Sequence, residues 1–337
     1  MKKSDLFFTV LFTFSVAALM AQNTYPTIGK VVKIDPRFDA LMAAEAKIEV
    51  LASGFVWSEG PAWVKDGGYL LFSDVPQNTV FKWSEKEGLT TFLKPSGYTG
   101  NDKYSNEPGS NGLIINNKGQ LVSCEHGDRR LSVMPLAGGG KRTLADNFEG
   151  KRFNSPNDVT QHSSGAYYFT DPPYGLPKQE NDPSRETNWF GVYRVGVDGA
   201  VSLLAKDMTR PNGIAFSPDE KTLYVAQSDP AKAVIMAFPM LPNGQVGAGS
   251  VFFDATPLSK QGLRGLPDGL RVDKDGNLWA TGPGGVLVIA PDATLLGRID
   301  TGEATANCTW GDDGSTLYLT ADMYLCRIKT KTKGAGW

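Results

Sequence analysis

The chain has 337 residues, with 34 Lys or Arg against 36 Asp or Glu, for a formal net charge of −2. This balance excludes the basic footprint of a nucleic-acid-binding protein and the polybasic patch of a membrane-surface protein. Hydrophobic residues make up 41% of the chain, and 38 Gly and 21 Pro are scattered without a period. Such a composition indicates a turn-rich β protein with an ample core, and neither collagen nor a disordered chain.

The N-terminus has the pattern of an export signal. Lys2 and Lys3 precede the apolar run Leu6–Leu19, and small residues follow it, with Ala21 as the expected cleavage position. The run is too short for a membrane-spanning helix, and the Lys-Lys start disfavours the alternative of a buried helix. We therefore predict a signal peptide over residues 1–21, and a periplasmic or secreted mature protein that does not insert into a membrane.

The segment after the signal carries few structural signals. Residues 22–46 are predicted to form an N-terminal extension, loop-like over Tyr25–Asp39 and with one or two helical turns over Leu41–Ala46. A first strand is predicted at Ile48–Leu51. Beyond it, short runs of β-branched and aromatic residues alternate with Gly, Asn, Asp and Pro, which is typical of an all-β fold. We assign residues 47–337 to one such domain.

A unit of one acid or amide residue, an apolar strand, a turn and a second strand recurs along this domain. In one copy, Asn212-Gly213 precedes the predicted strands Ile214–Phe216 and Thr222–Ala226. The six units begin at anchor residues spaced 52, 46, 55, 56 and 39 positions apart, namely Glu59, Asn111, Asn157, Asn212, Asp268 and Asn307. Repeats of this length with several strands predict a six-bladed β-propeller around a central channel. The Ile48–Leu51 strand would close it by completing the last blade.

Equivalent blades would bring the six anchor side chains together at one end of the channel. A ring of carboxylate and amide oxygens suits one divalent cation, with calcium expected because it takes about six to eight oxygen ligands. Magnesium and zinc are the alternatives, although zinc prefers softer ligands. Asn-Gly and Asp-Gly pairs are also ordinary turn formers, and Asn111 and Asn307 are open to that interpretation. Glu59 is a poor turn residue, which favours a central-channel metal site.

Six motifs together resemble the senescence marker protein/gluconolactonase/luciferin-regenerating-enzyme-like family. They are Ser58-Glu59-Gly60-Pro61-Ala62-Trp63, Cys124-Glu125-His126-Gly127, Arg152 to Val159, Asp171 to Leu176, Pro211-Asn212-Gly213 and Pro267-Asp268-Gly269. The likeness spans residues 48–330 and is greatest to the bacterial gluconolactonase branch. It implies a six-bladed propeller that binds one divalent ion, usually calcium, and hydrolyses a sugar lactone such as glucono-1,5-lactone to the aldonic acid.

The same resemblance implies roles for individual residues. Four residues match metal ligands of the family: Glu59, Asn157, Asn212 and Asp268. Arg152 and Asn157 match positions that contact substrate in some members, and Asn111 is expected to join them. Tyr174 is a further substrate-binding candidate on its own chemistry, because an aromatic ring can stack on a sugar, with a loop-packing role as the alternative. The spacing from Arg152 to Asn157 is longer than in the animal members, which weakens the Arg152 assignment.

Two residues compete for the role of general base. Asp268 matches the family's metal ligand that also serves as base. His126 is the alternative, because an imidazole with a pKa near neutrality is the better base on chemical grounds, although it is equally consistent with a structural histidine. The sequence contains no GxSxG nucleophile elbow, which disfavours an acyl-enzyme mechanism.

Several alternatives stay open. The same site would also suit another lactone, an ester or a phosphotriester, and a non-catalytic ligand-binding propeller is the third possibility. Two polar loops, Gly97–Gly109 and Pro173–Asn188, are expected to shape the pocket mouth and to select the substrate. The three cysteines are expected to be buried and free, with a Cys308–Cys326 disulfide as the alternative.

Overall fold

The structure is a computed structural model that describes residues 24–337, so the predicted signal peptide lies outside the described residues. The described part is almost entirely β-structure. Its short helical segments are two 3₁₀ turns, Pro36–Ala40 and Gln179–Asn181, and the α-turn Thr256–Ser259. No helix between residues 24 and 337 has the length and apolar character needed to span a bilayer.

The strands are numbered in chain order. Their bounds are β1 Thr27–Ile28, β2 Lys30–Lys33, β3 Ile48–Ser53, β4 Ser58–Val64, β5 Tyr69–Asp74, β6 Thr79–Ser84, β7 Gly88–Leu93, β8 Ser110–Ile115, β9 Gln120–Glu125, β10 Arg130–Pro135, β11 Arg142–Ala145, β12 Asn147–Phe148, β13 Lys151–Arg152, β14 Val159–Gln161, β15 Tyr167–Asp171, β16 Gly191–Val195, β17 Val201–Ala205, β18 Pro211–Phe216, β19 Thr222–Gln227, β20 Val234–Pro239, β21 Ser250–Asp254, β22 Leu270–Val272, β23 Leu278–Gly282, β24 Gly285–Ile289, β25 Leu295–Asp300, β26 Thr305–Gly311, β27 Thr316–Ala321 and β28 Tyr324–Lys329.

Apart from the two-stranded hairpin β12–β13, the described strands form six antiparallel sheets, five of which are built on four consecutive strands. Blades 1 to 5 contain β4–β7, β8–β11, β14–β17, β18–β21 and β22–β25, and blade 6 contains β26–β28 with β3. The first strand of each blade is the inner one, and the inner strands contact one another in the cyclic order β4, β8, β14, β18, β22, β26 and back to β4. This arrangement confirms the predicted six-bladed β-propeller.

Local sequence explains why the strands turn where they do. Between β18 and β19, Ser217 and Thr222 close the turn with a 2.9 Å backbone hydrogen bond from the Ser217 N–H to the Thr222 carbonyl. Asp219 Oδ1 accepts hydrogen bonds from the Ser217 hydroxyl at 2.7 Å and from the Lys221 N–H at 3.2 Å. Short side chains that bond to nearby backbone favour such turns over continued strand.

The core lies between the blades. Each of six clusters of buried side chains joins two neighbouring blades. Between blades 5 and 6, for example, Trp279 and Trp310 meet edge to face at 5.1 Å, beside Cys308 and Cys326. All three cysteines are buried and free, as expected. Stability therefore depends on how well each blade packs against the next.

The segment before blade 1 is more ordered than its sequence indicated. Strand β3 pairs with β28, with Glu49 opposite Arg327 and an ion pair of 2.6 Å between them. Strand β2 adds to β25 and β1 adds to β3. The loop-like prediction for Tyr25–Asp39 is therefore wrong, because strands of two and four residues are too short for an alternating pattern to show.

The helical prediction for Leu41–Ala46 is also wrong. The helical turn lies earlier, at Pro36–Ala40, where the Asp35 side chain accepts a 2.8 Å hydrogen bond from the Arg37 N–H and so caps the turn. The apolar side chains of Leu41 and Met42 that suggested a helix pack instead in the core cluster between blades 5 and 6.

Candidate active site

The anchor residues stand where the regular strand ladder is interrupted. The pairing of the inner strand with its neighbour shifts register between Glu59 and Ala62, and similarly beside Asn111, Asn212 and Asn307. Asn157 and Asp268 lie two residues before their inner strands. A bulge of this kind re-aims a side chain out of the ladder. The repeated irregularity therefore frees one polar side chain per blade.

The glycine after an anchor allows the next blade to approach. A Cβ atom at Gly213 would lie 2.1 Å from the carbonyl oxygen of Asp268, and one at Gly112 would lie 2.6 Å from that of Asn157. Neither glycine has the left-handed backbone that a turn would need. The turn interpretation of these pairs is therefore wrong. Their glycines keep the backbones of successive anchors in contact around the ring.

Four carboxylates gather around this ring. Glu59 and Asp158 are buried, and Asp268 and Glu107 are half-buried. Burial raises the pKa of Asp268 above its ordinary value, and the charges of Glu59, Asp158 and Glu107 raise it further. Burial likewise raises the pKa of Glu59, with Asp158 and Glu107 adding to the effect. Carboxylates that disfavour one another's charge in this way favour a bound cation.

The protein supplies little positive charge here. Within residues 24–337, the cation paired with this group is Arg271, whose Nη1 lies 3.9 Å from Asp158 Oδ2. Two oxygens, Asp268 Oδ1 and Asn111 Oδ1, are buried without a hydrogen-bond partner in the described chain. Buried acceptors normally have partners. Two orphaned oxygens among excess negative charge therefore fit a hard cation.

The donor set is also the right kind for such an ion. No group of three His, Cys, Asp or Glu side chains within the described chain is placed to hold a metal. A cation at the ring would therefore need amide oxygens as well as carboxylates. Carboxylate and amide oxygens together are the ligands of calcium and magnesium, whereas zinc and copper prefer nitrogen and sulfur.

The amide side chains are held through their nitrogen atoms. Asn212 Nδ2 donates to Ser228 Oγ at 2.9 Å, and the Ser228 hydroxyl donates in turn to the Pro267 carbonyl. Asn157 Nδ2 lies 3.4 Å from His126 Nε2. Because each nitrogen is used, the carbonyl oxygen of each amide is left for another partner.

His126 is buried behind Asn157. Its Nδ1 lies 3.2 Å from the backbone carbonyl of Glu107, so a proton on Nδ1 leaves Nε2 as the acceptor facing Asn157. Burial lowers the pKa of His126 to about 4. The imidazole is therefore neutral at pH 7. The sequence argument for His126 as the base assumed a pKa near neutrality, and burial removes that condition.

Of the two remaining predicted residues, Tyr174 lies beside the ring and Arg152 does not. Tyr174 is half-buried beside the ring, where burial and the charge of Asp268 raise its pKa while hydrogen bonding to Ser228 and Asn212 opposes the rise. Arg152 is exposed on the β12–β13 hairpin. Its Nη2 donates to the Asp128 carbonyl at 3.2 Å, and within residues 24–337 Arg152 forms no ion pair with a carboxylate of the ring.

Three residues of the site were not identified from the sequence. Glu107 lies in the loop before β8, and burial raises its pKa to about 7. Asp158 accepts hydrogen bonds from the N–H groups of Val159 at 2.9 Å and Ile214 at 3.4 Å. Ser228 holds Asn212, as described above. Only Asp158 had a usable signal, because it follows its anchor where four other anchors are followed by glycine.

Comparison with known proteins agrees with this geometry. The family model described as the SMP-30/Gluconolactonase/LRE-like region matches residues 57–322. The chain belongs to this family. A gluconolactonase of Zymomonas mobilis subsp. mobilis is 41% identical over 97% of this chain and 94% of its own length. The resemblance inferred from the six motifs is thereby confirmed.

Solved structures of the family share the fold. A gluconolactonase from Xanthomonas campestris has a TM-score of 0.78 and 31% identity, covering 92% of this chain and 99% of the other. Regucalcin from Agrobacterium tumefaciens, described as a calcium-binding protein, has a TM-score of 0.66 at 21% identity, covering 86% and 94%. At 21% identity, the similarity to the Agrobacterium regucalcin supports only a shared fold.

Proposed function

We propose that this protein is a sugar lactonase that hydrolyses an aldonolactone such as glucono-1,5-lactone to the aldonic acid. Membership of the family and the 41% identity to a gluconolactonase support the reaction class. The observation that carries the proposal is the group of carboxylates at the inner strands, where the charges of Glu59, Asp158 and Glu107 act on Asp268 and the Oδ1 atoms of Asp268 and Asn111 are buried without a partner in the described chain. A structural scaffold has no need for such a set of buried oxygens.

Glu59, Asn157, Asn212 and Asp268 would hold one divalent cation, with calcium the best match to an all-oxygen donor set. When bound, the ion supplies Lewis-acid polarisation of the lactone carbonyl and stabilises the oxyanion that forms on attack. With a cation bound, the mutual repulsion of the carboxylates would be offset, and Asp268 would be ionised at neutral pH. The unpartnered Asn111 Oδ1 is free to bind a hydroxyl group of the sugar.

Asp268 acts as the general base. Its carboxylate takes a proton from the attacking water as the oxygen of that water bonds to the carbonyl carbon, and it returns the proton to the ring oxygen as the ring C–O bond breaks. Proximity makes a weak base effective here. Tyr174, beside Asp268 and Asn212, positions the sugar ring.

His126 is assigned a positioning role. Its low pKa makes it a poor base at pH 7, and its Nε2 faces the amide nitrogen of Asn157. By fixing that nitrogen, His126 turns the Asn157 oxygen toward the ring. Replacement of His126 should therefore weaken cation binding, whereas replacement of Asp268 should abolish turnover.

The decisive experiment measures hydrolysis of glucono-1,5-lactone by the protein starting at Gln22, with the spontaneous rate subtracted. Activity should disappear with EDTA and return with calcium. Asp268→Asn should reduce kcat at least about 100-fold, as expected for loss of a general base. Asp254→Asn, a change to a carboxylate on the outer strand β21, is the matched control and should leave kcat unchanged.

Two outcomes would contradict the proposal. Full activity in EDTA would refute the cation site, and unchanged kcat in Asp268→Asn would refute the base. A protein that binds calcium but hydrolyses no sugar lactone would move the proposal to another ester or to ligand binding. We also propose that the protein is exported, which N-terminal sequencing of the mature protein tests, with Gln22 expected as the first residue.

A further inference from the structure

A second polar cleft lies beyond His126, outside the ring. It is lined by the loop residues Tyr98, Thr99 and Tyr104, by Asp128 and Arg129 of the β9–β10 turn, and by Arg152. The rings of Tyr98 and Tyr104 stack at 5.0 Å and form one wall. Neither the cation nor the lactone chemistry proposed above uses this cleft.

Arg129 is the unusual group in the cleft. It is only 3% exposed. Its Nε donates to the Phe153 carbonyl at 2.6 Å and its Nη1 to the Ser184 carbonyl at 3.1 Å. Nη2 is buried and has no hydrogen-bond partner in the described chain. Arginine is rarely buried without a pairing anion, since the loss of hydration must be offset.

The carboxylates around Arg129 are used elsewhere. Asp128 accepts hydrogen bonds from Thr99 and lies 3.5 Å from Arg130. Glu125 pairs with Arg130 and Lys141, at 2.6 Å each. No ion pair joins Arg129 to a carboxylate anywhere in residues 24–337. Asp171 and Glu186 favour its charged form through longer-range attraction, but neither forms an ion pair with it, and Nη2 is left without an acceptor.

Two more groups favour an anion at the same place. The hydroxyl of Tyr104 is buried and has no hydrogen-bond partner within the described chain, so it is a second donor without an acceptor. Arg152 lines the cleft, and its charge disfavours the charged form of Arg129, which indicates that the two guanidinium groups are close. The guanidinium groups of Arg129 and Arg152, together with the unpartnered Tyr104 hydroxyl, are complementary to an oxyanion.

We propose that this cleft binds an oxyanion, meaning a phosphate, sulfate or carboxylate group, with Arg129 Nη2 and the Tyr104 hydroxyl as its donors and Arg152 as a second cation. The anion is either a free inorganic ion or the charged group of a sugar acid or sugar phosphate. The proposal does not depend on lactonase activity, because the site is defined by unpaired donors and not by the ring.

The test is calorimetric titration of the calcium-loaded protein with sodium sulfate, at ionic strength held constant with chloride. Wild-type protein should bind sulfate saturably. Arg129→Gln and Arg152→Gln should weaken binding at least about tenfold, and Tyr104→Phe should weaken it about threefold. The matched control is Arg37→Gln, which removes an exposed cation that pairs with Asp35 and Asp292 on blade 5.

A second titration, with 6-phosphogluconate, identifies the source of the anion. Tighter binding than sulfate by tenfold or more assigns the site to a charged sugar, and equal binding assigns it to the free anion. Absence of saturable binding of both ligands would overturn the proposal. So would equal affinity in the Tyr104→Phe, Arg152→Gln and Arg37→Gln variants, a comparison that stands even if Arg129→Gln fails to fold.

Discussion

The glycine that follows Asn212 offers a direct test of how the blades build the site. Gly213→Ala would place its Cβ 2.1 Å from the Asp268 carbonyl oxygen and 2.8 Å from the Gly269 Cα. Real Cβ atoms essentially never approach closer than 3.0 Å, so blade 5 must move away from blade 4 by at least 3.0 − 2.1 = 0.9 Å. The methyl group therefore separates Asn212 from Asp268.

That displacement has two calculable consequences. Overpacking of this kind costs about 1–3 kcal/mol of stability, which lowers the melting temperature by a few degrees in a chain of this size. A misplacement of about 1 Å in a catalytic constellation costs about 100-fold in rate. Gly213→Ala should therefore fold, melt slightly earlier, bind calcium more weakly and lose about 100-fold in kcat/KM for glucono-1,5-lactone.

Gly140→Ala is the matched control. A Cβ at Gly140 would have nothing within 4 Å, and its backbone is outside the left-handed region. Thermal unfolding and lactone hydrolysis should both match the wild type. The reasoning is refuted if Gly213→Ala hydrolyses the lactone within twofold of Gly140→Ala, because the contact between blades would then not position the ring.

Three further predictions concern separate parts of the molecule. Burial raises the pKa of Asp171 to about 7 from an ordinary 3.8, so the folded state binds its proton more tightly and this group lowers the free energy of unfolding by up to about 4 kcal/mol as pH rises from about 4 to 7. Denaturant unfolding across this range should show a smaller decline in Asp171→Asn than in the wild type, because Glu59 and Glu107, whose pKa values are also raised, still contribute; equal declines would contradict the prediction. Trp279→Ala empties the core between blades 5 and 6 and should cost about 3–5 kcal/mol with kcat/KM of the folded protein preserved, and a loss below 1 kcal/mol would contradict the packing. Tyr174→Phe removes one hydroxyl beside Asn212 and should raise KM about threefold to tenfold at little cost in kcat, whereas an unchanged KM would remove Tyr174 from the substrate site.

The blade repeat was visible in the sequence because every blade begins with the same local piece. Each blade has an acid or amide residue before its apolar inner strand. In four of the six blades a glycine follows this residue, namely after Glu59, Asn111, Asn212 and Asp268. The number of blades follows from counting these repeated motifs. Their chemistry also follows, since a carboxylate at Glu59 is unexpected in a turn. Both inferences need only information that is local in the chain.

Features that depend on contacts between distant residues could not be predicted in this way. The glycine of each pair resembled a turn residue, although its real constraint is a carbonyl group one blade away. Glu107 stands in a polar loop where nothing distinguishes it from Glu87 or Glu149. Arg129 and Arg130 are adjacent and identical in type, yet Glu125 forms an ion pair with Arg130, and Arg129 Nη2 has no hydrogen-bond partner in the described chain. Only the packed structure decides which charge is neutralised.

The same packing explains why the polar ring is tolerated at all. Glu59, Asp158 and Asp268 belong to different blades, so these carboxylates cannot separate from one another without disturbing the apolar contacts between blades. The core thus holds together charges that repel, at an energetic cost that a bound cation would offset. The cleft at Arg129 repeats this logic with the opposite sign, because well-packed surroundings keep a guanidinium buried without its anion. The unsatisfied groups of the ring and of the cleft at Arg129 are therefore the places where ligands are expected to bind.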